Sequence, residues 1–184
     1  MQVWYLEIKS KNFCIVLSSP SGAGKTSISK KLLKKDRKLA LSISCTTRPR
    51  RKGEINKKDY IFLKKDIFEK KIKRNSFLEY ASVFGYQYGT LKESIDKIFK
   101  NKKDVLFDID WQGYQQLKQS GLNVVGIFIL PPNKTVLKDR LQNRGRDTFE
   151  EMKKRMKLAK DEISHFPEYE YVVVNKDINK CASQ

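Results

Sequence analysis

The stretch Phe13-Cys14-Ile15-Val16-Leu17-Ser18-Ser19-Pro20-Ser21-Gly22-Ala23-Gly24-Lys25-Thr26 decides the fold. Its first half is a continuous apolar run, as in a strand covered on both faces. Its second half is small and glycine-rich and ends in Gly-Lys-Thr, and a helix-like stretch, Ser27–Lys35, follows. Strand, glycine loop and helix in that order is the context a phosphate-binding P-loop requires. Small residues let successive backbone N–H groups turn inward around an anion, and the helix aims its N-terminal dipole at the same point. Lys25 supplies a charge for β- and γ-phosphates, and the Thr26 hydroxyl is placed to ligate Mg²⁺. Ser19 stands where the strict pattern has glycine. An ordinary glycine-rich turn would need neither Gly-Lys-Thr nor the flanking strand and helix.

Working outward, apolar runs alternate with amphipathic stretches. Strands are expected at Leu41–Cys45, Tyr60–Leu63, Val105–Ile109, Val124–Leu130 and Tyr171–Val174. Helices are expected around Ile67–Ile72 and Leu91–Phe99, and at Trp111–Lys118, Thr135–Asn143 and Thr148–Ile163. That alternation predicts an α/β fold, a parallel sheet wrapped by helices. The rhythm breaks between residues 44 and 90. There Phe77–Val83 and Tyr86–Tyr88 suggest a small sheet of their own, so the segment reads as an inserted lobe. A second break, Asn143–Asp147 with Arg144-Gly145-Arg146, reads as a basic flap between two helices.

Composition narrows the function. The chain has 184 residues, one domain's worth. Its 39 Lys and Arg against 21 Asp and Glu give a formal charge of +18. Such a balance suits anionic ligands, but the lysines fall in scattered pairs such as Lys34-Lys35, Lys64-Lys65 and Lys102-Lys103. Scatter favours solvated faces over a nucleic-acid-binding stripe, so no specific nucleic acid is expected. Cys14, Cys45, Cys181 and the single histidine, His165, lack metal-ligand spacing and suit a reducing compartment. Neither a signal peptide nor an apolar run of membrane-spanning length is present, and the expected location is cytoplasmic. Self-association is left open.

Two further constellations carry chemistry. In Val105-Leu106-Phe107-Asp108-Ile109-Asp110, acidic residues close a buried strand. Alone, such an Asp is usually a helix cap or turn former; beside a P-loop it suits a Mg²⁺ site. In Thr46-Thr47-Arg48-Pro49-Arg50-Arg51-Lys52-Gly53-Glu54, three arginines could clamp a phosphate through bidentate forks, or could simply be a solvated loop. The residues alone leave both open.

Taken together, Ser19–Thr26, Ser44-Cys45-Thr46-Thr47-Arg48 with Gly53-Glu54, Phe77-Leu78-Glu79, Tyr88-Gly89-Thr90, Asp108-Ile109-Asp110-Trp111-Gln112-Gly113, Arg140-Leu141 with Arg144-Gly145, and Val173-Val174-Asn175 resemble guanylate kinase in order and spacing, over about residues 13 to 178. The resemblance implies a P-loop NTPase core (residues 12–43, 91–131 and 164–184), an inserted mixed α/β GMP-binding lobe (44–90) and a small lid (132–163). Residues 1–11 then form an N-terminal extension to a single domain, 12–184. It implies Mg²⁺-dependent phosphoryl transfer from ATP to GMP, and to dGMP as well. ATP would be held by Ser21, Gly22, Ala23, Gly24, Lys25, Thr26, Ser27, Arg140, Arg144 and Asn175. The GMP phosphate would be held by Arg48, Arg51, Tyr60 and Tyr88, and the base by Ser44, Glu79 and Thr90. Asp108 and Asp110 would lie near GMP and the metal, with Thr26 and Asp108, directly or through water, as metal ligands. Lys25, Arg48, Arg144, Arg155 and Asp108 would carry the transfer step.

The chain departs from that family in three places. Pro49 follows Arg48 at once, and Arg50 takes a usual proline place, so Arg50 competes with Arg51 for the clamp. Lys176 stands where an acidic residue is common. The family continues into a final helix, whereas this sequence stops at Gln184, so some exposed core surface is expected. The rival readings are an inactive guanylate-kinase-like binding module, a P-loop kinase with another nucleotide acceptor, and a basic nucleic-acid-binding protein.

Overall fold

The computed structural model describes residues 12–142 and 149–184. The elements run β1 (Phe13–Ser18), α1 (Lys25–Lys35), β2 (Leu39–Leu41), β3 (Cys45–Thr46), β4 (Ile61–Phe62), α2 (Lys65–Lys73), β5 (Phe77–Val83), β6 (Tyr86–Leu91), α3 (Lys92–Lys100), β7 (Asp104–Asp108), α4 (Trp111–Lys118), β8 (Asn123–Leu130), α5 (Lys134–Gln142), α6 (Phe149–Ser164), β9 (Tyr171–Val174) and α7 (Ile178–Cys181). Residues 1–11 and the Asn143–Asp147 flap with Arg144 lie outside the described residues.

Five strands form one parallel sheet in the order β2-β7-β1-β8-β9. Its inner strands are the continuous apolar runs of the sequence, and they are buried because helices cover both faces. Cys14, Val16, Val105, Phe107, Tyr114, Leu117 and Phe128 pack on one side; Leu17, Ala23, Ile28, Leu106 and Ile129 pack on the other. The sheet's register carries the functional consequence. Leu17 pairs with Asp108 across β1 and β7, so the glycine loop and Asp108 leave the sheet side by side at its carboxyl edge.

A second sheet, β4-β3-β6-β5, is mixed: β3 and β4 run parallel, the rest antiparallel. Its own small core is Cys45, Phe68, Phe77 and Leu91, with Phe68 and Phe77 stacked at 4.4 Å.

The expected strand Leu41–Cys45 is corrected here: the run divides between the two sheets. Ser42 N–H still donates to Leu106 O (2.9 Å), continuing the core pairing. Cys45 then pairs with Gly89 and Ile61 in the second sheet. The sequence reads as one strand because its apolar–polar alternation never breaks, although the chain changes sheets within it.

At the outer edge, β9 leaves Tyr171, Val172 and Val174 exposed. After α6 the chain is fixed to the core by His165, which stacks on Trp111 at 3.6 Å and lies 2.6 Å from Glu168. The three cysteines are free and buried. Among the described residues no helix is long and apolar enough to cross a membrane.

Leu106 is fully buried at the centre of β7. Leu106→Ala is expected to cost about 2–5 kcal/mol. Urea denaturation checks this, with the midpoint falling and the slope unchanged.

Candidate active site

The glycine loop is held in shape before any ligand arrives. Gly24 sits at φ +104°, a left-handed conformation that an L side chain rarely adopts. A Cβ there would also clash with the Asn175 side-chain amide, which donates from Nδ2 to Ala23 O at 2.7 Å. Arg140 reaches the same place from α5, donating to Asn175 O (3.0 Å) and Ala23 O (3.4 Å). Arg140 and Asn175, expected at the ATP site, thus brace the loop's outer side. Thr26 and Ser27 are exposed on the first turn of α1.

Lys25 forms an ion pair with Asp108 (2.9 Å) and donates to Ile109 O (2.9 Å). Burial pulls its ammonium down, but the Asp108 carboxylate more than offsets this, and the net shift is upward. Lys25 is therefore firmly charged. Asp110 caps α4, accepting from Gly113 N–H at 3.0 Å, so it is committed to a structural bond, and its charge also reaches Lys25.

Across the cleft, Arg48 is almost buried and grips Glu54 through both terminal nitrogens, at 2.7 and 3.1 Å. Glu54 also accepts from Arg51 N–H at 2.7 Å, which fixes the loop between them. The Arg48 guanidinium lies over the Tyr60 ring at 5.4 Å, and Tyr60 meets Tyr88 edge-on at 6.0 Å. Burial, followed by the charge of Asp108, raises the Tyr60 phenol. That influence ties the second sheet's cluster electrostatically to the glycine-loop side. Arg50 and Arg51 are both exposed, and nothing in the geometry chooses between them.

Deeper in the same lobe, Glu79 and Thr90 are cross-strand neighbours on β5 and β6. They are 3% and 0% exposed, and Ser44 nearby in sequence to β3 is also buried. Glu79 Oε1 and Thr90 Oγ1 have no well-formed hydrogen bond among the described residues, although the two residues lie close enough for Thr90 to favour the charged carboxylate. Burial pushes the Glu79 carboxyl up to about 7, although Thr90 pulls it back in part. Space for that carboxylate comes from Gly113: a Cβ there would lie 2.6 Å from Glu79 Oε2.

Two contributors were missed in the sequence. Glu162 on α6 accepts from the Ser21 N–H of the glycine loop (3.2 Å), and burial raises its carboxyl. Phe84, at the tip of the β5–β6 hairpin, lies against Arg155. Neither carries a local signal: Glu162 reads as one more charge on a polar helix, 141 residues from its partner. Arg155 itself donates to Ser21 Oγ at 3.0 Å.

A parallel sheet whose first strand opens into a braced glycine loop, with its lysine on an acidic strand end and a second lobe facing it, defines a P-loop nucleotide-binding protein. A sequence model of the guanylate kinase family matches residues 11–184. The chain is 49% identical over 175 residues to a guanylate kinase of Rickettsia felis, covering 95% of this chain and 91% of that one. It is 51% identical over 172 residues to a guanylate kinase of Novosphingobium aromaticivorans, covering 93% and 78%. A crystal structure of guanylate kinase from Anaplasma phagocytophilum superposes with a TM-score of 0.79 at 36% identity, over 95% of this chain and 82% of that one. The chain belongs to the guanylate kinase family.

The Glu79 environment gives a pH dependence of stability. A carboxyl that titrates near 7 when folded and near its ordinary 4.5 when unfolded holds more protons in the native state between those values. Stability contributed at this site therefore falls as pH rises from about 4.5 through about 7. Glu79→Gln should remove that fall. Urea midpoints of both proteins at pH 5 and pH 8, without ligand, are expected to show the variant gaining on the wild type at pH 8.

Proposed function

We propose that the chain transfers the γ-phosphoryl group of ATP to GMP, giving ADP and GDP, with Mg²⁺ as the metal and dGMP as a further acceptor. The observation that carries the acceptor assignment is the buried pair Glu79 Oε1 and Thr90 Oγ1, neither of which has a well-formed hydrogen bond among the described residues. A buried acceptor with no donor is costly, and one with a carboxylate's geometry suits two adjacent donors. The Watson–Crick edge of guanine offers N1–H and N2–H₂ side by side. Adenine offers an acceptor at N1 and would be repelled. A site built to hydrogen-bond a group strongly rejects an analogue that lacks it.

The remaining roles follow from position. The loop amides of Ser21–Lys25 and the start of α1 would surround the donor's phosphates. Lys25 would exchange Asp108 for a phosphate oxygen. The ion would take most of its ligands from nucleotide phosphates and water, with Thr26 and Asp108, directly or through water, completing its shell. When bound, Mg²⁺ would neutralise charge on the phosphates being separated. Arg48, Tyr60 and Tyr88 would orient the GMP phosphate as nucleophile, with Arg51 as the reserve clamp. Arg155, together with Arg144, would meet charge that develops on the transferring group. No covalent intermediate is involved; positioning and electrostatics do the work. Residues 44–90 act as the GMP-binding lobe and 132–163 as the lid. An intact Gly24-Lys25-Thr26 speaks against an inactive binding module.

Lys25→Ala should fold and lose at least a hundredfold in turnover, about 2.7 kcal/mol. A coupled ADP-release assay across GMP, AMP, CMP and UMP measures it and tests the acceptor assignment together. Normal turnover by a folded variant would remove the phosphate-loop role.

The Glu79 carboxyl must be ionised to accept from both guanine donors. Since it titrates near 7, kcat/KM for GMP should rise with pH and level off above about 7. Glu79→Gln should cut kcat/KM for GMP at least tenfold, about 1.4 kcal/mol, and leave the KM for ATP nearly unchanged. Its profile should keep only the titration of the GMP phosphate near 6. Identical pH profiles in the two proteins would mean that the base binds elsewhere.

A further inference from the structure

The hairpin joining β5 and β6 has a two-residue turn. Val83 pairs with Tyr86, and between them Phe84 (φ +53°) and Gly85 (φ +79°) are both left-handed. Such turns are filled by Asn-Gly, Asp-Gly or Gly-Gly, since a bulky L-residue at positive φ is an outlier. Phe84 is the costly choice. Its ring does not repay that cost inside the lobe: it is 38% exposed and lies outside the Cys45–Phe68–Phe77–Leu91 core. A local rule broken without a packing gain points to function.

What the ring does touch is Arg155. The guanidinium carbon lies 4.8 Å from the ring centroid. Through Nη1 the same guanidinium donates to Ser21 Oγ in the glycine loop, at 3.0 Å. Two turns further along α6, Glu162 accepts from the Ser21 N–H. One side of α6 therefore seats on Ser21, and the hairpin tip presses an aromatic face on the arginine of that seat. A planar guanidinium stacks well on a ring, and an arginine so held keeps fewer rotamers.

We propose that Phe84 is a positioning residue for phosphoryl transfer: the tip of the acceptor-side lobe orders Arg155 of α6 beside the phosphate loop, so that this charge is aligned when acceptor and donor sites are brought together. The proposal rests on the kinase reading above and deepens it. Phe84 comes from the lobe assigned to GMP, whereas Arg155 lies on the donor side. The ring is thus a physical link by which the acceptor lobe sets the arginine's orientation.

Phe84→Asn separates this role from a structural one, because the two predict opposite signs. Asn suits the left-handed turn, so thermal stability should hold or rise. Turnover should nonetheless fall about five- to thirtyfold in kcat, with the KM values for ATP and GMP within about threefold. Phe84→Tyr, which keeps the ring, should restore kcat to within about twofold of wild type. Arg155→Ala should lower kcat by itself, and adding Phe84→Asn to it should cost nothing more. Full activity in Phe84→Asn, or additive losses in the double variant, would overturn the positioning role. A wild type that phosphorylates no nucleoside monophosphate would overturn the kinase reading and this role with it. An active wild type with an additive cycle overturns this role alone.

Discussion

A loop built to surround a polyanion must also be stable without one. Here the inward-turned amides, the lysine and the helix start concentrate positive potential at one point, and the protein answers with its own carboxylates. Asp108 takes Lys25, and Glu162 takes the Ser21 amide. Both are stand-ins for phosphate oxygens in charge and in hydrogen-bonding capacity. The rest of the arrangement depends on this. Asp108 is in reach only because β1 and β7 end level in the sheet, and Glu162 only because α6 docks across the loop. On the proposed function, an entering nucleotide would take over Lys25 and free Asp108 to face a cation, so that phosphate binding and preparation of a metal site would be one exchange of ion pairs.

The acceptor pocket is governed by the opposite problem. Glu79 is a carboxyl kept from water, with one oxygen that has no well-formed hydrogen bond among the described residues. The lobe's own core of Cys45, Phe68, Phe77 and Leu91 sustains that cost, as does the space that Gly113 leaves for the carboxylate. On the proposed function, a pocket of this kind would be selective because it is unsatisfied: a base with two donors would relieve it, and a base with an acceptor facing it would worsen it. Stability would then be given up at Glu79 for discrimination.

These elements differed in how far they could be read from the chain. The glycine loop was legible because strand, loop and helix are contiguous, and each residue type has a reason within fourteen positions. Asp108 was legible because a buried strand ends on it. The division of Leu41–Cys45 between two sheets was not, because alternation specifies a pleated strand and carries nothing about which neighbour it joins. Glu162 and Phe84 were invisible for another reason. Their partners, Ser21 and Arg155, lie 141 and 71 residues away, as the numbering shows, and a Glu on a polar helix or a Phe beside a Gly has many ordinary explanations. Only the positive φ of Phe84, a property of the folded backbone, marks it as unusual.

The handling of the arginines is a consequence of the net charge. A chain at +18 cannot hold several bare guanidinium groups facing one cleft without mutual repulsion. Among the described residues, each is held where it stands by a different local partner. Arg48 grips Glu54, Arg140 donates to the carbonyls of Ala23 and Asn175, and Arg155 lies between Ser21 and the Phe84 ring. Among these contacts Arg48 alone meets a carboxylate at hydrogen-bond distance, whereas the carbonyls, the Ser21 hydroxyl and the Phe84 ring are neutral and position a guanidinium without cancelling its charge. Arg140 and Arg155 come from α5 and α6, which pack on one another through Leu137, Leu141 and Ala159, whereas Arg48 comes from the loop after β3 in the second lobe. On the proposed function, an approach of that lobe to the glycine loop would change the field between them steeply. On that reading, two anionic nucleotides would supply the attraction that draws the two sides together, and the same approach would exclude water from the space between them, so that the field would be strongest at the transferring group.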